Sequence, residues 1–224
     1  MKDLLSILSI MSIILWSCHK EDAIKKLKED NGCIERRILR VDQHSVDFAD
    51  IATIDNLFIR NTIDNSKYRY FKYDHDSVQT YFPPFDKFDS KAVRVDQYAN
   101  SLRIFNTDML FTFKNDIADF VGGYPSNGTS LNTTPALTLA QVRKLFINAI
   151  EERDHNGTEY KDTCLYAEFG YYNLYLGPIN STEVLAKAWR VTRKNSVYPS
   201  EYPVAYFQDD GKLIYYHNGI VMVR

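Results

Sequence analysis

Glycine is scarce in this chain, nine residues in 224, and tryptophan scarcer still at two, whereas tyrosine and phenylalanine number 16 and 13. So little glycine argues against long flexible loops, and the aromatic excess suits half-buried sheet faces. A surplus of charge of either sign is also missing. With 27 basic against 29 acidic residues there is no long-range field to gather nucleic acid or steer an anionic substrate, so nucleic acid is not expected as a partner. Catalytic signatures are absent as well. The five histidines, His19, His44, His75, His155 and His217, lie too far apart for His-Glu-x-x-His, in which two imidazoles one helical turn apart reach one zinc ion. No serine sits in a Gly-x-Ser-x-Gly frame, and no glycine-rich run leads from a strand into a helix to cradle phosphate.

What is present is ordinary globular material, 45% hydrophobic and 25% charged, enough for one large or two small domains of roughly 100 residues each. The first residues stand apart from it. "MKDLLSILSIMSIILWSC" carries Lys2 and then an apolar run over residues 4–16, too short to span a bilayer and of the size of a signal-peptide core. Its end, "LWSC", with Leu15 three residues before Cys18 and Ser17 just before it, resembles the lipobox of bacterial lipoproteins. That resemblance implies lipidation of Cys18 and attachment to a membrane through the lipid. Bulky Trp16 and the acidic Asp3 depart from the family pattern, and an ordinary secretory signal is the alternative. The charged stretch that follows, "HKEDAIKKLKED", cannot bury enough apolar surface to order itself and reads as a tether. Its "KED" resembles the export signal of some surface lipoproteins. With Cys18 lipidated, Cys33 and Cys164 remain in an oxidising compartment, where one disulfide is the simplest pairing and two buried thiols the alternative.

Along the mature chain, Phe48, Ile51, Ile54, Leu57 and Phe58 recur at helical spacing behind Asp47 as a cap. "KYRYFKYDHD" alternates as a strand, "YFPPF" breaks regular structure, and "AVRVDQYANSLRIF" and "MLFTFKNDIADFVGG" read as strands turning at Ala99-Asn100 and Asn115-Asp116. Residues 124–137, crowded with Ser, Thr, Asn, Pro and Gly, mark a boundary. Beyond it, "TLAQVRKLFINAIEER" combines a Thr138/Gln141 capping box with a stripe of Leu139, Val142, Leu145, Phe146, Ala149 and Ile150. A stripe that wide needs a sheet, which "CLYAEFGYYNLYLG", "VLAKAWRVTRK" and "PVAYFQDDGKLIYYHNG" supply, the last turning at Asp210-Gly211.

These pieces in this order resemble the propeptides of thermolysin-like and fungalysin-like metalloproteases, in which an FTP segment precedes a PepSY segment. The match covers roughly residues 45–220, and its most specific parts are "LAKAWRV" at residues 185–191, with Lys187 inserted in the family's strand, and the Asp210-Gly211 hairpin. Asn115-Asp116 stands where the family has an Asp-Gly turn. The resemblance implies an α+β fold of two small halves, each a helix packed on an antiparallel sheet, the second PepSY-like. The expected organisation is a lipoprotein signal peptide (1–17), a charged tether (18–44), an FTP-like domain (45–133) and a PepSY-like domain (134–224). It also implies a module that assists or restrains a protease, here without the protease.

Other chemistry finds little support. On a strand only the two carboxylates of Asp74-His75-Asp76 share a face, and a solvated turn is the blander reading. His155 follows a helix whose C-terminus accounts for it. Glu168, Asp209 and Asp210 offer no identifiable acid–base pair. The tyrosines of "YRYFKY" and "EFGYYNLYLG" read either as core or as a face for carbohydrate or peptide, Trp189 reads as core, and unpaired edge strands could accept a peptide. No catalytic residue, metal or cofactor is expected. The expected function is a non-enzymatic, lipid-anchored outer-membrane protein, on the periplasmic or cell-surface face, that binds a protein or peptide, a secreted metalloprotease being the specific candidate. A structural or adhesive surface component is the alternative.

Overall fold

The computed structural model describes residues 33–126, 128, 130–154, 160, 163–175, 183–194 and 202–219. Cys18, the signal segment, His19 and His155 lie outside them. Among the described residues nine strands and two helices follow in the order β1 (Cys33–Arg37), α1 (Phe48–Arg60), β2 (Tyr68–Gln79), β3 (Lys87–Ala99), β4 (Leu102–Lys114), β5 (Ile117–Gly123), α2 (Leu139–Asp154), β6 (Cys164–Asn173), β7 (Leu185–Arg193), β8 (Val204–Gln208) and β9 (Leu213–His217). Among the described residues no helix is long and apolar enough to cross a membrane.

Both expected helices form. Asp47 stands at the N-cap of α1 without a capping bond from its side chain, while the Thr138/Gln141 box at α2 is closed in both directions, at 2.9 and 3.3 Å. The turns fall close to their expected places. Asn100-Ser101 and Asn115-Asp116 have positive φ at both residues, the backbone that two-residue hairpins require, and Gly211 supplies φ +96° between β8 and β9.

The expected pair of separate helix-and-sheet halves is not what forms. All nine strands belong to one mixed sheet in the order β2-β3-β4-β6-β7-β8-β9, with β1 added on β6 and β5 on β4. The cause lies in β4. Its second half pairs with β5, but its first half projects beyond β5 and takes β6 as a parallel neighbour, with Ile104 opposite Tyr171 and Phe105 opposite Tyr172. Left alone, that edge would expose unpaired backbone groups, and joining the two parts satisfies it. Asn106 reinforces the seam by donating to the Asn173 carbonyl and accepting from the Asn173 amide, at 3.0 and 3.1 Å. Gly170 lets the backbones close up, since a Cβ there would meet the Arg103 carbonyl oxygen at 2.4 Å. On the other half of β6, β1 pairs in parallel, so Cys33–Arg37, within the stretch read as tether, is a strand, and the Cys33–Cys164 disulfide ties its start to β6.

Strand alternation puts both helices on one side of this sheet. Along β3, Val93 and Val95 lie under α1 with Ile54, Leu57 and Phe58 above them. Four residues further on, Ala99 packs on Ile104 and Tyr171, and on β6 the alternation leads from Tyr171 to Phe169, which lies under Val142, Phe146 and Ile150 of α2. Each such buried side chain contributes about 1.5–3 kcal/mol. A bulge in β4, where residues 105–108 face Asp96 alone, keeps Ile104 and Met109 on the helix side. Among the described residues the opposite side of the sheet carries no helix.

Candidate functional site

Five strands each place one charged residue between two apolar or buried neighbours: Tyr68-Arg69-Tyr70, Val95-Asp96-Gln97, Leu102-Arg103-Ile104, Ala167-Glu168-Phe169 and Trp189-Arg190-Val191. Because the flanking residues point to the helices, the five charges point to the bare side and line up across the sheet. Arg69 and Asp96 are 2.8 Å apart, Asp96 and Arg103 2.6 Å, Arg103 and Glu168 3.8 Å, and Glu168 and Arg190 3.9 Å. Arg37 stands opposite Glu168 on β1. Signs thus alternate from β2 to β7. Burial works against the charge of Arg103, but Asp96 and Glu168 more than compensate and raise its pKa, so it stays a guanidinium at every ordinary pH.

Above this row lies a cleft of about 250 Å³ lined by Arg37, Arg69, Phe71, Asp96, Arg103, Asp108 and Arg190 of the sheet and by Leu39 and Ser45 of the loop after β1. The loop after β1 forms one wall, where Arg69 donates through Nε to the Gln43 carbonyl at 2.6 Å and also to Ser45 Oγ. The polar groups beneath the cleft are incompletely used. Glu168 is 3% exposed, yet neither carboxylate oxygen accepts a hydrogen bond from the protein, and the Arg103 Nε and Tyr98 hydroxyl are also without one. Native structures leave few buried polar atoms in this condition, and these four lie close together on the side of the sheet that faces the cleft.

An aromatic row continues from the cleft across β4, β6, β8 and β9. Tyr206 packs on Phe105 at 5.5 Å and on Tyr172 at 5.2 Å between ring centroids, and Tyr215 extends the row at 6.2 Å. Arg190 joins the two regions by donating through Nε to the Tyr206 hydroxyl at 3.2 Å. The two readings of the tyrosines therefore divide by face: Tyr68, Tyr70 and Tyr171 are core, whereas Tyr172 looks out from the bare side, where Tyr206 and Tyr215 join it.

No family model, curated protein or solved structure matches this chain.

A second exposed feature is the tip of the β2–β3 arm, which runs past the last β4 pairing at Ser90–Lys114. There Tyr81, Phe82 and Phe85 are 89%, 76% and 60% exposed. The loop beneath them is closed by hydrogen bonds: Thr80 and Asp86 bond through their backbones at 2.9 Å, Thr80 Oγ1 donates to the Pro84 carbonyl at 2.6 Å, and the Asp86 amide donates to Thr80 Oγ1 at 2.9 Å. Sequence reasoning placed a break at "YFPPF" but not its outward rings.

The remaining candidates have local roles. Asp74 pairs with Lys72 at 2.9 Å, and His75 contacts Asp89, whose carboxyl Lys91 and His75 hold below the usual range. Among the described residues no three His, Cys, Asp or Glu side chains converge as metal ligands. Asp209, which had no identifiable partner in the sequence, is a buried hub. It accepts from the Ala136 and Leu137 amides at 2.7 and 3.2 Å and from Trp189 Nε1 at 3.1 Å, and it pairs with Lys187 at 2.9 Å. Asp210 serves the adjacent turn, accepting from the Lys212 amide.

Proposed function

We propose that this chain is a non-enzymatic envelope protein, held at the outer membrane by lipid on Cys18, that captures a protein partner with the aromatic tip of the β2–β3 arm. The observation that carries the reading is the tip itself. Three large rings within five residues stand 60–89% exposed on a loop closed by its own hydrogen bonds. Exposing such a group costs solubility, while a rigid aromatic anchor loses little entropy when a partner pocket covers it. The propeptide resemblance makes a secreted metalloprotease the specific candidate for that partner. On this reading the protein holds or assists the protease in trans and supplies no catalytic group.

The test is co-purification of the full chain with its partners from envelope and secreted fractions, alongside a variant carrying Tyr81→Ser, Phe82→Ser and Phe85→Ser. Side chains this exposed change stability little, about 0.5 kcal/mol or less each. A partner recovered with the wild type and lost with the variant supports the proposal; identical recovery from both contradicts it. Purified secreted metalloprotease assayed with the chain at micromolar concentration tests the specific candidate, and unchanged activity removes it. Cys18→Ala is expected to release the protein from the membrane fraction, and an unchanged membrane fraction refutes the anchor.

A further inference from the structure

The loop between β1 and α1 meets β2 at the end opposite the aromatic tip, and its contacts there do not depend on the partner reading. Residues 43–45 lie along the outer edge of the strand. The Tyr70 amide donates to His44 Nδ1 at 3.0 Å, and the Ser45 amide donates to the Tyr70 carbonyl at 2.8 Å. The His44 ring lies on the Tyr70 ring, 4.3 Å between centroids and 13° between planes. Arg69 adds two bonds from its guanidinium, to the Gln43 carbonyl at 2.6 Å and to Ser45 Oγ. We propose that His44 is an acid-sensitive latch: while neutral it clamps residues 43–45 against β2, and protonation releases them and opens that wall of the cleft.

The bond to Nδ1 decides the matter. A backbone N–H can only donate, so Nδ1 is bare and the single ring proton sits on Nε2. An imidazolium carries a proton on both nitrogens, which sets N–H against N–H, so the charged ring cannot keep its place on the Tyr70 amide. Burial is the largest influence on the ring and holds its pKa below the ordinary 6.5. Arg69 of β2 acts in the same direction, while Asp55 of α1 and Asp42 of the loop oppose them. The Asp55 carboxylate is already engaged, accepting from the Tyr70 hydroxyl at 2.6 Å and from Asn65 at 2.8 Å. With the folded pKa lowered, the latch is closed above the ordinary value and opens as pH falls through the lower one. Release frees Arg69 from Gln43 and Ser45 and leaves it on Asp96, so the charged row opens from the β2 side. Both ends of the loop stay anchored, by β1 on β6 and by α1 on the sheet, so the loop lifts without unfolding the strands.

The experiment is amide hydrogen exchange on the full chain in detergent at about pH 7.5 and about pH 5, with rates corrected for the intrinsic effect of pH on exchange. Peptides covering residues 43–46 and 69–71 report the latch, and residues 109–113 of β4 report the sheet. The expected result is a loss of protection of about 10-fold or more at the latch on acidification, with β4 unchanged. His44→Gln keeps an oxygen that can accept from the Tyr70 amide and does not titrate, so it should hold its protection at both pH values. His44→Ala offers no acceptor and should be weakly protected at both. Equal protection of the wild type at the two pH values overturns the proposal. So does a loss in His44→Gln as large as in the wild type, because Asp42 or Asp55 is then the sensor. Protection in His44→Ala equal to the wild type at the higher pH, or β4 opening together with the latch, also overturns it.

Discussion

Replacing Asp209 by alanine is expected to destabilise the protein more than its place beside a surface turn suggests. Its carboxylate is buried and is the common acceptor for two backbone amides before α2, the indole of Trp189 and the ammonium of Lys187. Truncation leaves Trp189 Nε1 and the Ala136 and Leu137 amides without their acceptor, each at about 1–3 kcal/mol if water cannot reach it. Lys187 is partly exposed and regains water, so the total is set at about 3–5 kcal/mol, the range for removing one partner of a buried pair. For a chain of this size that is a fall in melting temperature of roughly 6–20 °C. Asp209→Asn retains one acceptor oxygen and should lose about half as much. Acid separates the two contributions. Although burial alone would raise it, the Asp209 pKa is held below its usual value by Lys187, the two amides and Trp189. The stability it contributes is therefore fully present above the unfolded-chain pKa of about 3.9 and is lost as pH falls through the lower folded value. Thermal melts followed by near-ultraviolet circular dichroism should show wild type and Asp209→Asn well separated at pH 7 and converging below pH 3. A change of under 1 kcal/mol for Asp209→Ala, or a constant gap across pH, would refute the reasoning.

Two further substitutions probe the seam and the staple. Gly170→Ala puts a methyl group 2.4 Å from the Arg103 carbonyl and about 3 Å from the Phe105 ring, and should cost about 3 kcal/mol, read as a lower urea midpoint; tolerance of alanine would mean that β4 and β6 do not close as described. The Cys33–Cys164 bond closes a loop of 131 residues, worth about 5 kcal/mol on the chain-entropy model, so the Cys33→Ser/Cys164→Ser pair should melt well below the oxidised protein. Equal melting would show that no bond forms.

The α2 stripe, its capping box and the Asp210-Gly211 turn were legible because each depends on residues within a few positions of one another. The same holds for α1 and for the turns expected at Ala99-Asn100, which forms one residue later at Asn100-Ser101, and at Asn115-Asp116. The joining of two expected halves into one sheet was not legible, since it rests on Ile104 and Phe105 meeting Tyr171 and Tyr172 nearly 70 residues away. Local alternation says which face a residue takes and nothing of which strand lies beside it. The charged row shows where a signal was available. Single charges between core residues in "YRY", "VDQ", "LRI", "AEF" and "WRV" are costly unless they meet, and five in one chain imply a shared bare face. Their pairing order again depended on the long-range seam. Outward rings in "YFPPF" had no periodic pattern to betray them, because a hydrogen-bonded loop rather than a helix or strand fixes their direction.

The central claim, capture of a protein by the aromatic tip, is tested most directly by placing a photo-crosslinking phenylalanine analogue at position 82 of the full chain in the source cells, with position 56 on the exposed face of α1 as the control. The account predicts a discrete protein adduct from position 82 that is missing from position 56. Identical adducts from both positions, or none from position 82, would contradict it.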